Sequence, residues 1–101
     1  MPDLIRFKVS GTVQGVNFRQ ATKKQALALG LRGWVSNSPD ESVEGLAVGS
    51  QEHLEQFRSY LKQGPPHANV AKVELVQHQT GISEEQAKQA LDGRDGFAVV
   101  R

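Results

Sequence analysis

The chain reads as an α+β domain of split β-α-β order, an antiparallel sheet with both main helices on one face. Three observations predict this. Residues 5–13 alternate between apolar and polar side chains. From Phe18 the apolar spacing changes to that of a helix. The same succession of strand and helix patterns then returns after a hairpin. At 101 residues the chain suits one domain over 1–101, long enough to bury ~65% of its extended surface in one modest core.

The first strand places Ile5, Phe7, Val9, Gly11 and Val13 on one face and Arg6, Lys8, Ser10 and Thr12 on the other, the period of a half-buried strand. A short connection over 14–18 contains Gly15. Phe18, Ala21, Thr22, Ala26 and Leu29 share one helical face, and Gly30 stands where a helix C-terminal glycine belongs. Residues 33–37 form a second strand, with Trp34 expected to fill the small core. Ser38-Pro39-Asp40-Glu41 is a turn with proline in its favoured second position. Residues 43–49 complete the hairpin.

Ser50 caps a second helix with the apolar stripe Leu54, Phe57 and Leu61, ended by Gly64-Pro65-Pro66. Residues 70–78 form a fourth strand. Ser83-Glu84-Glu85-Gln86 is a capping box that opens a short helix to about Leu91, and 97–100 is a closing strand. In this arrangement Glu44, Leu46 and Val48 fall on the helix-free face, where two apolar residues are surplus.

With no cysteine, disulfide scaffolds, thiol catalysis and Cys-ligated metal centres are excluded, which fits a reducing cytosol. No apolar run approaches the ~20 residues of a membrane span, and the N-terminus lacks a secretory apolar core. His53, His67 and His78 have no ligand spacing, so no metal is expected. Charge is uneven: residues 1–37 carry Arg6, Lys8, Arg19, Lys23, Lys24 and Arg32 against Asp3 alone, whereas 38–101 carry ten acids against six bases. An anionic ligand is drawn to the N-terminal third.

The loop Gln14-Gly15-Val16-Asn17-Phe18-Arg19 joins a strand to a helix N-terminus. Unpaired N–H groups and the positive end of the dipole meet there, a ready phosphate site. Gly15 lets the backbone curl around a ligand. Arg19 carries a planar fork of donors matched to phosphate oxygens. A cation at a helix N-terminus opposes the dipole by ~0.3–1 kcal/mol, a cost that an anion bound between them removes.

Gly11-x-Val13-Gln14-Gly15-Val16-x-Phe18-Arg19-x-x-Thr22, then Gly30-Leu31-x-Gly33-Trp34-Val35-x-Asn37-x-x-Asp40, then Val43-Glu44-Gly45, resemble the acylphosphatase family over residues 5–77, and the likeness resumes at Phe97. The resemblance implies a ferredoxin-like fold and metal-free, cofactor-free hydrolysis of carboxyl-phosphate anhydrides. It implies that Gly15, Val16, Asn17, Phe18 and Arg19 bind the phosphoryl group, that Arg19 and Asn37 are catalytic, and that Asn37 orients the attacking water. It further implies a small acyl phosphate as substrate. Inorganic phosphate, as the product, is expected to inhibit competitively, and a monomer in the cytoplasm is the default expectation.

That chemistry suits so sparse a site. The leaving carboxylate has a pKa near ~4 and needs no general acid. Positioning and charge stabilisation carry most of a phosphoryl transfer. A neutral amide orients water without repelling a phosphate dianion. Thr22 either braces the loop through its hydroxyl or packs inside the helix. Asp40, Glu41 and Glu44 read as solvated hairpin residues.

The chain departs from the family pattern at three places. Asp40-Glu41 stands where Asp-Gly is usual, and a Glu held at φ > 0 costs ~1–2 kcal/mol. Asn17 occupies a variable loop position. The link over 79–96 is longer than usual. An RNA-recognition domain shares the element order, but it stacks bases on exposed strand aromatics, and the outward residues of the first strand supply none, so no nucleic-acid partner is expected. A domain cut from a larger carbamoyl-transferring protein is the other alternative; Met1 and a final strand ending near Arg101 favour a complete protein.

Overall fold

A computed structural model describes residues 1–15 and 17–100. The elements are β1 (Asp3–Thr12), α1 (Phe18–Ala28), β2 (Arg32–Asn37), β3 (Val43–Gly49), α2 (Gln51–Gln63), β4 (Asn69–Gln79), α3 (Glu84–Leu91) and β5 (Phe97–Val100). One five-stranded sheet has the order β4-β1-β3-β2-β5. Among the described residues, no helix is long and apolar enough to cross a membrane.

The α1/α2 face follows the alternation read from the sequence. Ile5, Phe7 and Val9 of β1, Val35 of β2, and Val43 and Ala47 of β3 meet Phe18 and Ala26 of α1 and Leu54, Phe57 and Leu61 of α2. Phe57 joins two strands to its helix: its ring meets Phe7 edge-on at 5.5 Å and Phe97 at 6.0 Å, a favoured aromatic geometry. Phe7 lies across the sheet from Gly45. A Cβ there would come within 2.5 Å of the Phe7 Cζ atom and 2.4 Å of the Trp34 carbonyl oxygen, so only glycine leaves room for that ring.

Two expectations are corrected. The first concerns strand direction: the sheet is mixed, because β5 pairs parallel to β2, Gly33 opposite Phe97 and Val35 opposite Val99, while the other pairings are antiparallel. The β4–α3–β5 path carries the chain from one edge of the sheet to the other, and β5 enters alongside β2 in the same direction. The second concerns the face opposite α1 and α2, which is not helix-free. Ile82 and, from α3, Ala87 and Leu91 bury Leu4, Leu46 and Val48 there.

The surplus apolar residues of β3 are therefore the floor of a second small core. Trp34 belongs to its margin, half-buried against this second cluster, as Ala90 is, rather than inside the main core. The Ser83 capping box forms as read, Ser83 Oγ accepting from Gln86 N and Gln86 Oε1 from Ser83 N. Both Arg32 guanidinium nitrogens donate to the Glu84 carboxylate at 3.0 and 3.1 Å, which holds that carboxyl below its ordinary pKa. The 79–96 link thus has a structural task. Gly81 N donates to the buried Asp3 carboxylate and Ile82 N to Pro2 O, and β1 starts at Asp3, opposite Gly49 of β3, rather than at Ile5.

Candidate active site

β1 and β2 each run antiparallel to β3, and β5 runs parallel to β2. The C-terminal ends of β1, β2 and β5 therefore gather at one end of the sheet. That end carries the 13–17 loop, Asn37 and Val99.

The loop turns into α1 through left-handed backbone, Gly15 at φ 76° and Asn17 at φ 63°. Glycine adopts this freely and asparagine tolerates it. A Cβ at Gly15 would meet nothing within 4 Å, so backbone conformation and not crowding calls for glycine there. Asn17 occupies the cap position of α1, yet its side chain makes no capping bond, and no acid stands in the first turn. By contrast Ser50 and Ser83 cap α2 and α3, each with acids in the first turn.

The helix with an uncapped, acid-free N-terminus is the one that carries Arg19. Val13, Gly15, Asn17, Phe18, Arg19, Gln20 and Val99 line a cavity of about 110 Å³ at this point. Arg19 is half-buried. It takes part in none of the ion pairs of the described residues, which join Lys8 to Asp40, Arg32 to Glu84 and Lys72 to Glu74.

The structure brings Gly15, Asn17, Phe18 and Arg19 together around this cavity. Val16, expected to share in phosphate binding, lies outside the described residues. Asn37 is exposed at the end of β2, opposite Val43, and is not part of the cavity wall. Thr22 is buried in α1, where its hydroxyl faces Tyr60 of α2. It packs inside the helix and does not brace the loop.

The residue that braces the loop is Gln14, for which the sequence suggested no separate task. Its Nε2 donates to the carbonyl oxygens of Ser38 at 3.0 Å and Ser42 at 2.9 Å. It thereby ties the loop to the turn that follows Asn37. The sequence signal was a lone polar residue between Val13 and Gly15 at a strand end, too common a pattern to carry a role. Val99 was missed because a closing strand offers no sign that it reaches the loop.

The turn itself is heavily bonded. Ser38 N donates to Ser42 O at 2.8 Å and Glu41 N to Ser38 O at 3.1 Å. Asp40 is not free solvent-facing charge: it pairs with Lys8 and accepts from the Ser42 hydroxyl and amide. The Lys8 ammonium and then the Ser42 donors hold its carboxyl well below the usual carboxylate range, and Asp40 in turn raises Lys8. An aspartate so occupied is a brace rather than a proton carrier. Glu41, in place of the usual glycine, has φ 70° and so adopts the strained backbone. Glu41 and Glu44 are exposed, as read.

The family model described as Acylphosphatase matches residues 5–89. The chain belongs to the acylphosphatase family. It is 43% identical over 83 residues to an acylphosphatase of Acaryochloris marina, covering 80% of this chain and 89% of that one. The crystal structure of acylphosphatase from Bacillus subtilis superposes with a TM-score of 0.82 at 31% identity, each chain fully covered. An acylphosphatase from Coxiella burnetii gives 0.80 at 31% identity over 98% of this chain and 93% of that one. The ferredoxin-like α+β architecture inferred from the sequence is the architecture these relatives share.

Proposed function

We propose that this domain, 1–101, is a metal-independent acylphosphatase that hydrolyses a small acyl phosphate to a carboxylate and inorganic phosphate. Membership of the acylphosphatase family supports the reaction class. The observation that carries the site assignment is α1: its N-terminus is uncapped and free of acids, and it presents Arg19 to a cavity lined also by Gly15 and Asn17, both in left-handed backbone.

In this reading the phosphoryl group occupies that cavity. The backbone of 15–19 and the Arg19 fork stabilise charge on its equatorial oxygens, as donors of an oxyanion hole do. Water attacks phosphorus opposite the acyl oxygen. The P–O bond to the acyl group breaks, and the electron pair leaves with the carboxylate, stable without protonation at neutral pH. Asn37 orients the water. The exposed position of Asn37, outside the cavity wall, suits a group that meets water arriving from solvent. Gln14 keeps Asn37 and the loop in register through Ser38 and Ser42. Inorganic phosphate, as product, competes for the same cavity, and the protein acts as a cytoplasmic monomer with no nucleic-acid or membrane partner.

The test is hydrolysis of benzoyl phosphate, followed by the ultraviolet absorbance lost with the anhydride, before and after exhaustive EDTA treatment. Turnover is expected in both. Asn37→Ala is expected to lower kcat strongly while phosphate inhibition stays near the wild-type value, since the cradle of 15–19 remains. A folded Asn37→Ala enzyme with wild-type kcat and lost phosphate inhibition would move Asn37 from the water to the cradle. Activity lost to EDTA and restored by zinc or magnesium would overturn metal independence.

A further inference from the structure

We infer that the same site, read as above, prefers acyl phosphates whose acyl group carries a second negative charge, and that Lys23 and Lys24 receive it. A second depression opens beside the phosphate cavity and shares two of its wall residues, Asn17 and Gln20; Ala21, Lys23, Lys24 and Leu27 complete it. It is a shallow groove of about 480 Å³ along the outer surface of α1. With a phosphoryl group in the first cavity, the acyl group has this groove as a continuation.

Its chemistry is mixed in a particular way. Ala21 and Leu27 offer apolar floor, and Leu27 is 49% exposed, much for a leucine with nothing packed over it. Gln20 and Lys24 stand one turn apart, ~5.4 Å along the axis, and Lys23 flanks them one turn beyond Arg19. Neither lysine is in the ion pairs of the described residues, and no acid occurs in the sequence between Asp3 and Asp40. Two unpaired ammonium groups beside an apolar floor, about one helical turn from the phosphate cavity, fit a short acyl group ending in an anion.

The experiment compares benzoyl phosphate with 4-carboxybenzoyl phosphate, which differ by one charge at the far end of the ring. Steady-state kcat/KM is measured at low and high salt for the wild type and for Lys23→Gln/Lys24→Gln. Lys24 is exposed and Lys23 half-buried, and both substitutions leave the buried α1 residues Phe18, Thr22 and Ala26 intact. The wild type is expected to favour the carboxylated substrate, relative to the double variant, by about three- to tenfold at low salt, the range of one or two exposed ion pairs. The difference should shrink in high salt. Benzoyl phosphate kcat/KM should fall less than that of the carboxylated substrate, because it loses only the general attraction of the basic N-terminal third.

Lys72→Gln/Lys88→Gln removes the same net charge elsewhere and is expected to leave the substrate ratio at its wild-type value. An equal ratio in wild type and Lys23→Gln/Lys24→Gln, with benzoyl phosphate still hydrolysed, overturns the subsite alone. An equal loss in Lys72→Gln/Lys88→Gln also overturns it, in favour of general charge steering. Failure of the wild type to hydrolyse either substrate overturns the proposed function and this inference with it.

Discussion

Glu41→Gly should stabilise the protein. Glu41 has φ 70°, where an L-residue costs ~1–2 kcal/mol. Its side chain is exposed and makes no hydrogen bond or ion pair among the described residues, so its removal forfeits no contact. Its backbone amide still donates to Ser38 O in the glycine variant. Against the relief stands the greater freedom of glycine in the unfolded chain, worth ~0.5–1 kcal/mol. The difference is about 0–1.5 kcal/mol, centred near ~0.75. At ~4–8 °C per kcal/mol for a domain of this size, that central value raises Tm by roughly 3–6 °C. Glu41→Ala separates backbone strain from charge: it removes the carboxylate but keeps an L-residue at positive φ, and its Tm should stay near the wild-type value. Thermal unfolding followed by circular dichroism decides the matter. A glycine variant no more stable than the alanine variant refutes the strain argument.

Gln14→Ala removes both bonds to the 38–42 turn and leaves two part-buried carbonyls without that donor. Unfolding in urea should show a loss of about 1–3 kcal/mol, and kcat should fall because the loop and Asn37 lose their common tether; a stable variant with unchanged kcat would show the tether to be idle. Asp40→Asn tests the turn by pH. The folded-state pKa of Asp40 lies below its ordinary 3.8, so its stabilising contribution is present above about that pH and is lost as pH falls through the folded value. The Tm difference between wild type and Asp40→Asn should therefore be largest above pH 4 and shrink in more acid solution; a difference independent of pH would contradict the Lys8–Asp40–Ser42 arrangement.

Much of this fold could be read from local patterns. Ile5, Phe7 and Val9 alternate because one face of β1 is buried beneath α1 and α2, and Ser50 and Ser83 announce their helices through caps that form as expected. What escaped the sequence was set by long-range pairing. Nothing local to Phe97–Val100 says that this strand lies parallel to β2. Leu46 and Val48 hinted at a covered face, but which segment covers it depends on a β4–α3–β5 path visible only in three dimensions. The site divides the same way. Gly15 and Arg19 belong to one contiguous loop and were legible together. The Gln14 tether spans 24 and 28 residues to Ser38 and Ser42, and such a pairing has no periodic signature.

The measurement that tests the account most directly is the effect of Arg19→Ala on phosphate inhibition and turnover together. Arg19 is the half-buried cation of the cavity at the uncapped end of α1, and loss of its charge-assisted contact should cost ~3 kcal/mol or more. With benzoyl phosphate as substrate and circular dichroism to confirm folding, kcat/KM should fall about a hundredfold or more. Competitive inhibition by inorganic phosphate should weaken in parallel. A folded Arg19→Ala protein that retains wild-type turnover and wild-type phosphate inhibition would contradict the assignment of the cavity as the phosphoryl site.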